Sequence, residues 1–219
     1  MKNRLFYCLV ILFLNTFLLP MSIQAQDISL PAPDKTGGKP LMQALNERQS
    51  IRTFTKDTLT QQQLSDLLWA GWGINRADLK KRTAPSARNV QEIDVYVALP
   101  SGLYFYIAES HTLKQINNKD LRKLSGTQDF VAEAALNLVY VADLGKLGKK
   151  EGDEIKDSDL LSSYANTAFI AQNIYLYCAS ANLGCVIRGM VPKEQLAPEM
   201  GLRSNQRIIL AQTVGVPQK

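Results

Sequence analysis

Ile93-Asp94-Val95-Tyr96-Val97-Ala98-Leu99-Pro100-Ser101-Gly102-Leu103-Tyr104-Phe105-Tyr106-Ile107 sets the fold class. Ile93, Val95, Val97 and Leu99 recur at every second position, the period of a strand with one face on a core. Pro100-Ser101-Gly102 supplies turn chemistry, and Leu103, Phe105 and Ile107 resume the alternation. The stretch therefore predicts a hairpin. Downstream, Leu136 to Ala142 is almost continuously apolar, as a strand covered on both faces must be. Ile208 to Val216 reads as a final buried strand.

Helical periods surround these strands. Between about Leu160 and Ala181, Leu160, Leu161, Tyr164, Ala165, Ala168, Ala171, Ile174, Tyr175 and Cys178 recur at helical spacing, an apolar band wide enough to predict burial on most sides. Gly184 stands just past its end, where a helix-terminating glycine belongs. Thr60-Gln61-Gln62-Gln63 matches a capping box, followed by Leu64, Leu67 and Leu68 and closed by Gly71 and Gly73. Pro40 opens a shorter helix that ends near Arg48, and another follows Pro192 and stops at Gly201. The charged stretch Lys146–Asp159 reads as a solvated loop, a pattern that a lid beside a site shares. Strands and helices alternate irregularly, so the class is α+β, with helices packed on a mixed sheet.

The 219 residues are 46% hydrophobic and 21% charged, enough for one well-cored domain, assigned to 40–219. Pro31, Pro33 and Gly37-Gly38 mark 26–39 as a linker. Residues 1–25 have the three parts of a secretory signal: Lys2 and Arg4, the apolar run Leu5–Leu14, and Ala25 at a cleavage position. The uncharged stretch runs on to Gln26, which an uncleaved membrane anchor also fits. Removing Lys2 and Arg4 from the formal charge of +5 leaves +3, too mild and too scattered for a nucleic-acid partner. Cys178 and Cys185, both in apolar surroundings, read as buried thiols, though an oxidising compartment would permit pairing. His111 is the only histidine, so there is no metal cluster and no histidine-based nucleophile system built on another residue.

The catalytic side-chain sets are therefore missing, and so are the Gly-rich nucleotide turns. Chemistry in such a chain falls to a cofactor. Three segments are placed to hold one. Glu47-Arg48-Gln49-Ser50-Ile51-Arg52-Thr53-Phe54 puts two guanidiniums and a hydroxyl where a helix ends, suited to a phosphate or ring amides; an exposed arginine pair is the plain alternative. Arg82-Thr83-Ala84-Pro85-Ser86-Ala87-Arg88-Asn89-Val90-Gln91 offers amides before a strand, or is only a turn. Leu183-Gly184-Cys185-Val186-Ile187-Arg188-Gly189-Met190 is a buried strand ending at a bend, or a place where backbone approaches a ligand.

In this order the three segments resemble the nitroreductase superfamily of FMN oxidoreductases, from about Leu41 to Pro217. The likeness is greatest to the branch containing peptide-azoline dehydrogenases, although Glu154-Ile155 stands where that branch has a Lys-Tyr pair. Gly102–Tyr106, Ala171–Leu176 and Val214–Pro217 look like further landmarks. The resemblance implies a three-layer α+β fold, an intertwined homodimer, and one FMN in each interface cleft. By that resemblance Arg48, Ser50 and Arg52 would bind the flavin phosphate, ribityl chain and pyrimidine edge, with Gln49 between them. Pro85, Ser86 and Asn89 would come from the other subunit, Ala87 and Arg88 lining the same turn. Val186, Ile187, Arg188 and Gly189 would pass the ring, the Gly189 N–H facing its N5/O4 edge, and Arg203 would join the phosphate.

The implied activity is ping-pong transfer of hydride or electrons from a donor such as NAD(P)H to a small organic acceptor. An exported flavin-binding protein without turnover, handing electrons to a membrane partner, fits the same segments. Export, as to a Gram-negative periplasm, would favour a membrane quinol or another flavoprotein as donor. The leader predicts a mature chain starting near Gln26 outside the cytoplasmic membrane. N-terminal mass spectrometry on fractionated cells checks this, and an intact Met1 on a soluble cytoplasmic protein would overturn it.

Overall fold

The computed structural model describes residues 26–218, so the leader expected over 1–25 lies outside the described residues. Nine strands are seen: β1 (Ile28–Ser29), β2 (Ile74–Arg76), β3 (Lys81–Arg82), β4 (Ile93–Leu99), β5 (Gly102–Ile107), β6 (Thr112–Asn117), β7 (Leu136–Asp143), β8 (Gly184–Arg188) and β9 (Gln206–Gly215). The α-helices are α1 (Leu41–Glu47), α2 (Gln61–Trp72), α3 (Phe130–Glu133), α4 (Leu161–Ser180) and α5 (Lys193–Glu199). Seven strands form one sheet in the order β1-β6-β5-β4-β7-β9-β8, while β2 and β3 make a separate hairpin.

The architecture is α+β with helices on both faces. Leu64, Leu67 and Leu68 of α2 and Ile170 and Ile174 of α4 pack on one face with Val95, Val97, Leu138 and Tyr140. Tyr96, Ala98, Val139 and Val141 point the other way, against Leu196 and Met200 of the α5 region. Burial on both faces is what the apolar run of β7 demands. The sheet differs from the mixed one expected, because every described pairing within it is antiparallel. β4, β5 and β6 follow one another as a meander, and the chain returns from each helix running against its sheet neighbour.

The capping box forms as written: Thr60 Oγ1 accepts from the Gln63 N–H at 3.1 Å and Gln63 Oε1 from the Thr60 N–H at 2.9 Å. Gly71 lies inside α2 rather than ending it. A Cβ there would come within 2.7 Å of Ile174 Cδ1, so the missing side chain lets α2 and α4 touch. At the far end of α4, Gly184 is not the terminating residue. Asn182 takes the left-handed conformation (φ 56°) and Leu183 N–H returns to Cys178 O at 2.8 Å. Asparagine tolerates that region, and the glycine is freed to open β8. Cys178 and Cys185 are both buried free thiols.

The proline-rich stretch expected as a linker is a strap docked on the domain. Ile28 and Ser29 pair with Leu113 and Thr112 of β6. Prolines remove donors but leave acceptors, and Pro31 O takes the Ser65 hydroxyl at 2.6 Å. That commits the Ser65 hydrogen, so His111 Nε2–H donates to Ser65 Oγ (2.7 Å) and Nδ1 accepts from the Tyr106 hydroxyl (2.9 Å). The single histidine therefore ties strap, α2 and hairpin together.

Burial holds the His111 imidazole below its ordinary 6.5, Asp66 opposing only in part. As pH falls the unfolded chain takes up that proton first. The contribution to stability is complete above 6.5 and is lost as pH drops from there toward the folded value. We expect the thermal midpoint to fall between about pH 7.5 and about 5.5. His111→Gln should be less stable at the upper pH and show a shallower fall. A slope unchanged by the substitution would disprove the assignment.

Candidate functional site

The first segment leaves α1 and lies against the open end of the sheet. Ile51 N–H donates to Cys185 O at 3.0 Å, Thr55 N–H to Val216 O at 2.9 Å, and Gln218 N–H to Thr53 O at 3.1 Å. Phe54 bridges Pro217. A Cβ at Gly184 would meet Ile51 Cγ2 at 2.9 Å, which explains why β8 begins on the smallest residue. With Ile51 turned toward the core, Ser50 and Arg52 are exposed, as alternation requires.

Tyr175 of α4 joins this segment to the third. Its hydroxyl accepts from Ile187 N–H at 3.0 Å and lies 2.8 Å from Ser50 Oγ. Since the Ile187 bond uses an oxygen lone pair, the phenolic hydrogen is available to Ser50. The Arg48 guanidinium sits 5.2 Å over the Tyr175 ring, a cation–π contact. Neither Arg48 nor Arg52 has an ion-pair partner among the described residues. Arg48, Gln49, Ile51, Tyr175, Cys178 and Pro217 line a cavity of about 470 Å³. A larger one, about 610 Å³, lies between the strap, α2 and α4. Its Lys39 is already bonded to Glu47 at 2.7 Å and its Asp66 to Asp34 N–H at 2.8 Å. Among the described residues Arg48 is the one cation of the smaller cavity without an ion pair; Ser50 and Arg52 line neither cavity, and Lys35 of the larger one lies 5.4 Å over the Trp69 ring.

The second segment forms a tight turn elsewhere. Arg88 and Asn89 hold φ of 53° and 56°. Ser86 Oγ accepts from Gln91 N–H at 3.0 Å, and Ala87 N–H donates to Asn166 Oδ1 at 3.0 Å. Pro85, Ala87 and Asn89 are exposed and Ser86 half-buried. Pro85 to Asn89 line neither cavity. Their anchor Asn166 and the first segment's anchor Tyr175 are both buried on α4. Nine helical residues separate them, about 14 Å along the axis and about half a turn around it. Within one chain the two groups face away from each other.

In the third segment Val186 is buried, Ile187 half-buried, and Gly189 exposed where β8 has ended. Arg188 does not run past the cavity as expected. It points through the sheet to the opposite side, 4% exposed. There it donates to Thr213 Oγ1 (2.9 Å), Ser125 O (2.9 Å) and Asn137 Oδ1 (3.0 Å). Strand alternation is the reason: Ile187 turns toward α4, so its neighbour must turn away. Burial pushes the guanidinium down to about 10, leaving it charged at neutral pH.

Arg203 is also not brought to the cavity. It pairs with Asp143 at 2.8 Å and reaches Glu151 at 4.0 Å, clamping the 144–160 loop. The Asp143 hydrogen bond raises its pKa, so the cation is already spent. That loop, expected to be solvated, is mostly exposed but pinned by Lys149–Asp159 (2.7 Å) and by Asn205 Nδ2 on Lys149 O (3.0 Å). Sequence reasoning missed Tyr175 and Asn166 as the anchors of the first and second segments. A phenol in the buried stripe of the helix was the available signal for the first, since such a group needs a partner.

Comparison with known proteins fits this geometry. The sequence model of the nitroreductase family matches residues 45–216. A candidate nitroreductase of Methanocaldococcus jannaschii is 28% identical over 159 residues, 68% of this chain and 78% of that protein. The crystal structure of a candidate nitroreductase from Ralstonia eutropha superposes with a TM-score of 0.81 at 44% identity, covering 88% of this chain and 90% of that one. A chain of an E. coli microcin synthetase complex shares the fold at 16% identity and TM-score 0.66, over 96% of this chain and 81% of that one.

Arg188→Ala should lower the stability of the fold by ~3 kcal/mol, because it strands Ser125 O in the interior, leaves Asn137 Oδ1 with the Thr213 hydroxyl alone and opens a cavity. Ligand affinity at the Arg48 cavity should stay within a few-fold of the parent in protein that remains folded. Denaturant unfolding with a ligand titration checks both, and an unchanged midpoint with lost binding would return Arg188 to the site.

Proposed function

Because the chain belongs to the nitroreductase family of flavin-type oxidoreductases, we propose that its cofactor is FMN and that it transfers hydride or electrons from a reduced donor to a small organic acceptor in two half-reactions. The observation that carries this reading is the pair of guanidiniums, Arg48 and Arg52, without counter-charges, flanking a serine held by Tyr175. A dianionic phosphate and the polar edge of a flavin are the ligands such a donor set suits. When bound, FMN supplies two-electron acceptance and donation.

The chain's own residues bind and orient. Arg48 and Arg52 provide charge-assisted donors, and the Ser50 hydroxyl adds a bond for the ribityl chain. Tyr175 fixes Ser50 and, through Ile187 N–H, sets the strand that carries Gly189. Gly189 offers exposed backbone with no side chain in the way. A cation near the pyrimidine edge favours the anionic reduced cofactor. No proton-transfer side chain is invoked, in keeping with a site that has none of the usual pairs.

We further propose that a second copy of this chain completes the site. The Pro85–Asn89 turn and the Arg48 cavity are anchored on opposite sides of α4, so a partner must bring one to the other. Apolar surface is available for it: Leu161, Tyr164 and Phe169 on α4 and Leu41, Met42 and Leu45 on α1 are all exposed. Export by the leader would favour a membrane quinol or another flavoprotein as donor over soluble NAD(P)H.

Purified protein should be yellow, release FMN on denaturation, and scatter light as a dimer. Arg48→Ala and Arg52→Ala should each weaken FMN binding by about 1.5–3 kcal/mol, roughly tenfold to a hundredfold. Colourless parent protein that also fails to take up added FMN would refute the cofactor. Wild-type retention in both variants would refute the site, and a monomer with stoichiometric FMN would refute the shared cleft.

A further inference from the structure

Glu92 lies just before β4, 1% exposed, and no step above uses it. Its Oε1 accepts from Ser163 Oγ at 3.0 Å and from Asn166 Nδ2 at 2.8 Å, both on α4. Asn166 then has only its carbonyl left for the Ala87 N–H at 3.0 Å. Turning that amide over would set its carbonyl against the carboxylate and its NH₂ against a backbone donor. The carboxylate therefore dictates which way the Asn166 amide points.

The turn it supports needs external support. Arg88, Asn89 and Gln91 all hold positive φ, at 53°, 56° and 55°, with no glycine among them. L-residues persist in that region only where their surroundings over-determine it. Arg82 and Lys80 O hold the Gln91 side chain at the far end of the turn, and Ser86 Oγ holds its N–H; at the near end Asn166 is the side chain that holds the Ala87 N–H. Glu92 is also poorly placed for stability itself. Its Oε2 has no hydrogen-bond partner, and neither does the buried Thr167 Oγ1 one turn beyond Ser163. A buried carboxylate with an orphaned oxygen is retained against its desolvation cost.

We propose that Glu92 is a positioning residue for the cofactor-facing turn: by fixing the Asn166 amide it holds Pro85, Ser86 and Asn89 in the conformation that meets the flavin of the second subunit. The assignment rests on the FMN reading given above. It predicts that stability and affinity separate. Glu92→Leu removes a charge with one orphaned oxygen but leaves the Ser163 hydroxyl and the Asn166 NH₂ unpaired, so the flavin-free protein should lose proportionately less stability than FMN binding loses affinity. Its FMN dissociation constant should rise tenfold or more. Asn166→Leu should do the same, and the double variant should be no worse than either single one, because both act through one bond. Glu92→Gln keeps the Oε1 acceptor and should bind within about threefold of the parent.

Amide exchange in flavin-free protein reads the positioning independently of the cofactor. The Ala87 N–H should exchange at least tenfold faster in Glu92→Leu, with β4 amides unchanged. If the parent does not bind FMN, the cofactor reading fails and this exchange result still judges the positioning. Glu92→Leu with parental FMN affinity would overturn the proposal. So would lost affinity matched by an equal loss of flavin-free stability, or an Ala87 amide that exchanges as in the parent.

Discussion

Helix α4 sets the terms for the rest of the molecule, because it anchors the first and second candidate segments on opposite sides of one rigid rod. Tyr175 holds Ser50 and Ile187 on one side, and Asn166 holds Ala87 on the other. The anchors lie nine positions apart on a rigid helix, and the two segments do not share a pocket within one chain. The exposed Leu161, Tyr164 and Phe169 follow from the same constraint. The band that the sequence reads as burial on most sides is only partly covered by α2 and the sheet, and the uncovered part is what a second copy would bury.

The sheet edge is the second fixed point. β8 is the last strand, and its backbone would stand open without the Arg48–Thr55 strap across it. One device serves two ends: Ile51 hides the edge, and the alternation that turns Ile51 inward turns Ser50 and Arg52 out. Gly184 and Phe54 make that contact close enough to fix the register. The same alternation explains Arg188. Cys185 and Ile187 face α4, which leaves Val186 and Arg188 to the other layer, where Asn137 and Thr213 form a polar pocket deep in the core.

What the sequence reveals follows from this. Local signals are legible: the Thr60–Gln63 box, the period of Ile93–Leu99, the apolar run of β7 and the length of α4 all need only neighbours in the chain. β6 escapes because Lys114, Gln115 and Asn117 hide its pairing at a polar flank of the sheet. The strap at 26–39 escapes because its composition is that of a loose segment, while what holds it down is distant in sequence: the pairing with β6, the Pro31 carbonyl on Ser65, Asp34 N–H on Asp66 and Lys39 N–H on Ser180. The three binding segments are found as segments, yet their side-chain directions are not. Arg188 and Arg203 look like Arg48 and Arg52 in one dimension. Only strand phase and the positions of Asp143 and Glu151 tell them apart.

That difference between satisfied and unsatisfied charge is what separates framework from site here. Arg203 has Asp143, Arg188 has three acceptors, and Arg82 has Glu109 at 3.0 Å with Trp72 beneath it. Arg188 and Arg82 are spent inside the fold, where leaving either unpaired would cost several kcal/mol, and Arg203 is spent at its surface. Arg48 and Arg52 remain without an ion pair among the described residues, on a segment pinned through Ile51 and Thr55. A fold that pairs its other buried and half-buried arginines so thoroughly has little structural reason to hold two bare guanidiniums beside a hydroxyl on a rigid strap. An anionic ligand is the counter-charge they lack, and the rigidity of the strap means that little ordering remains to be done when it arrives.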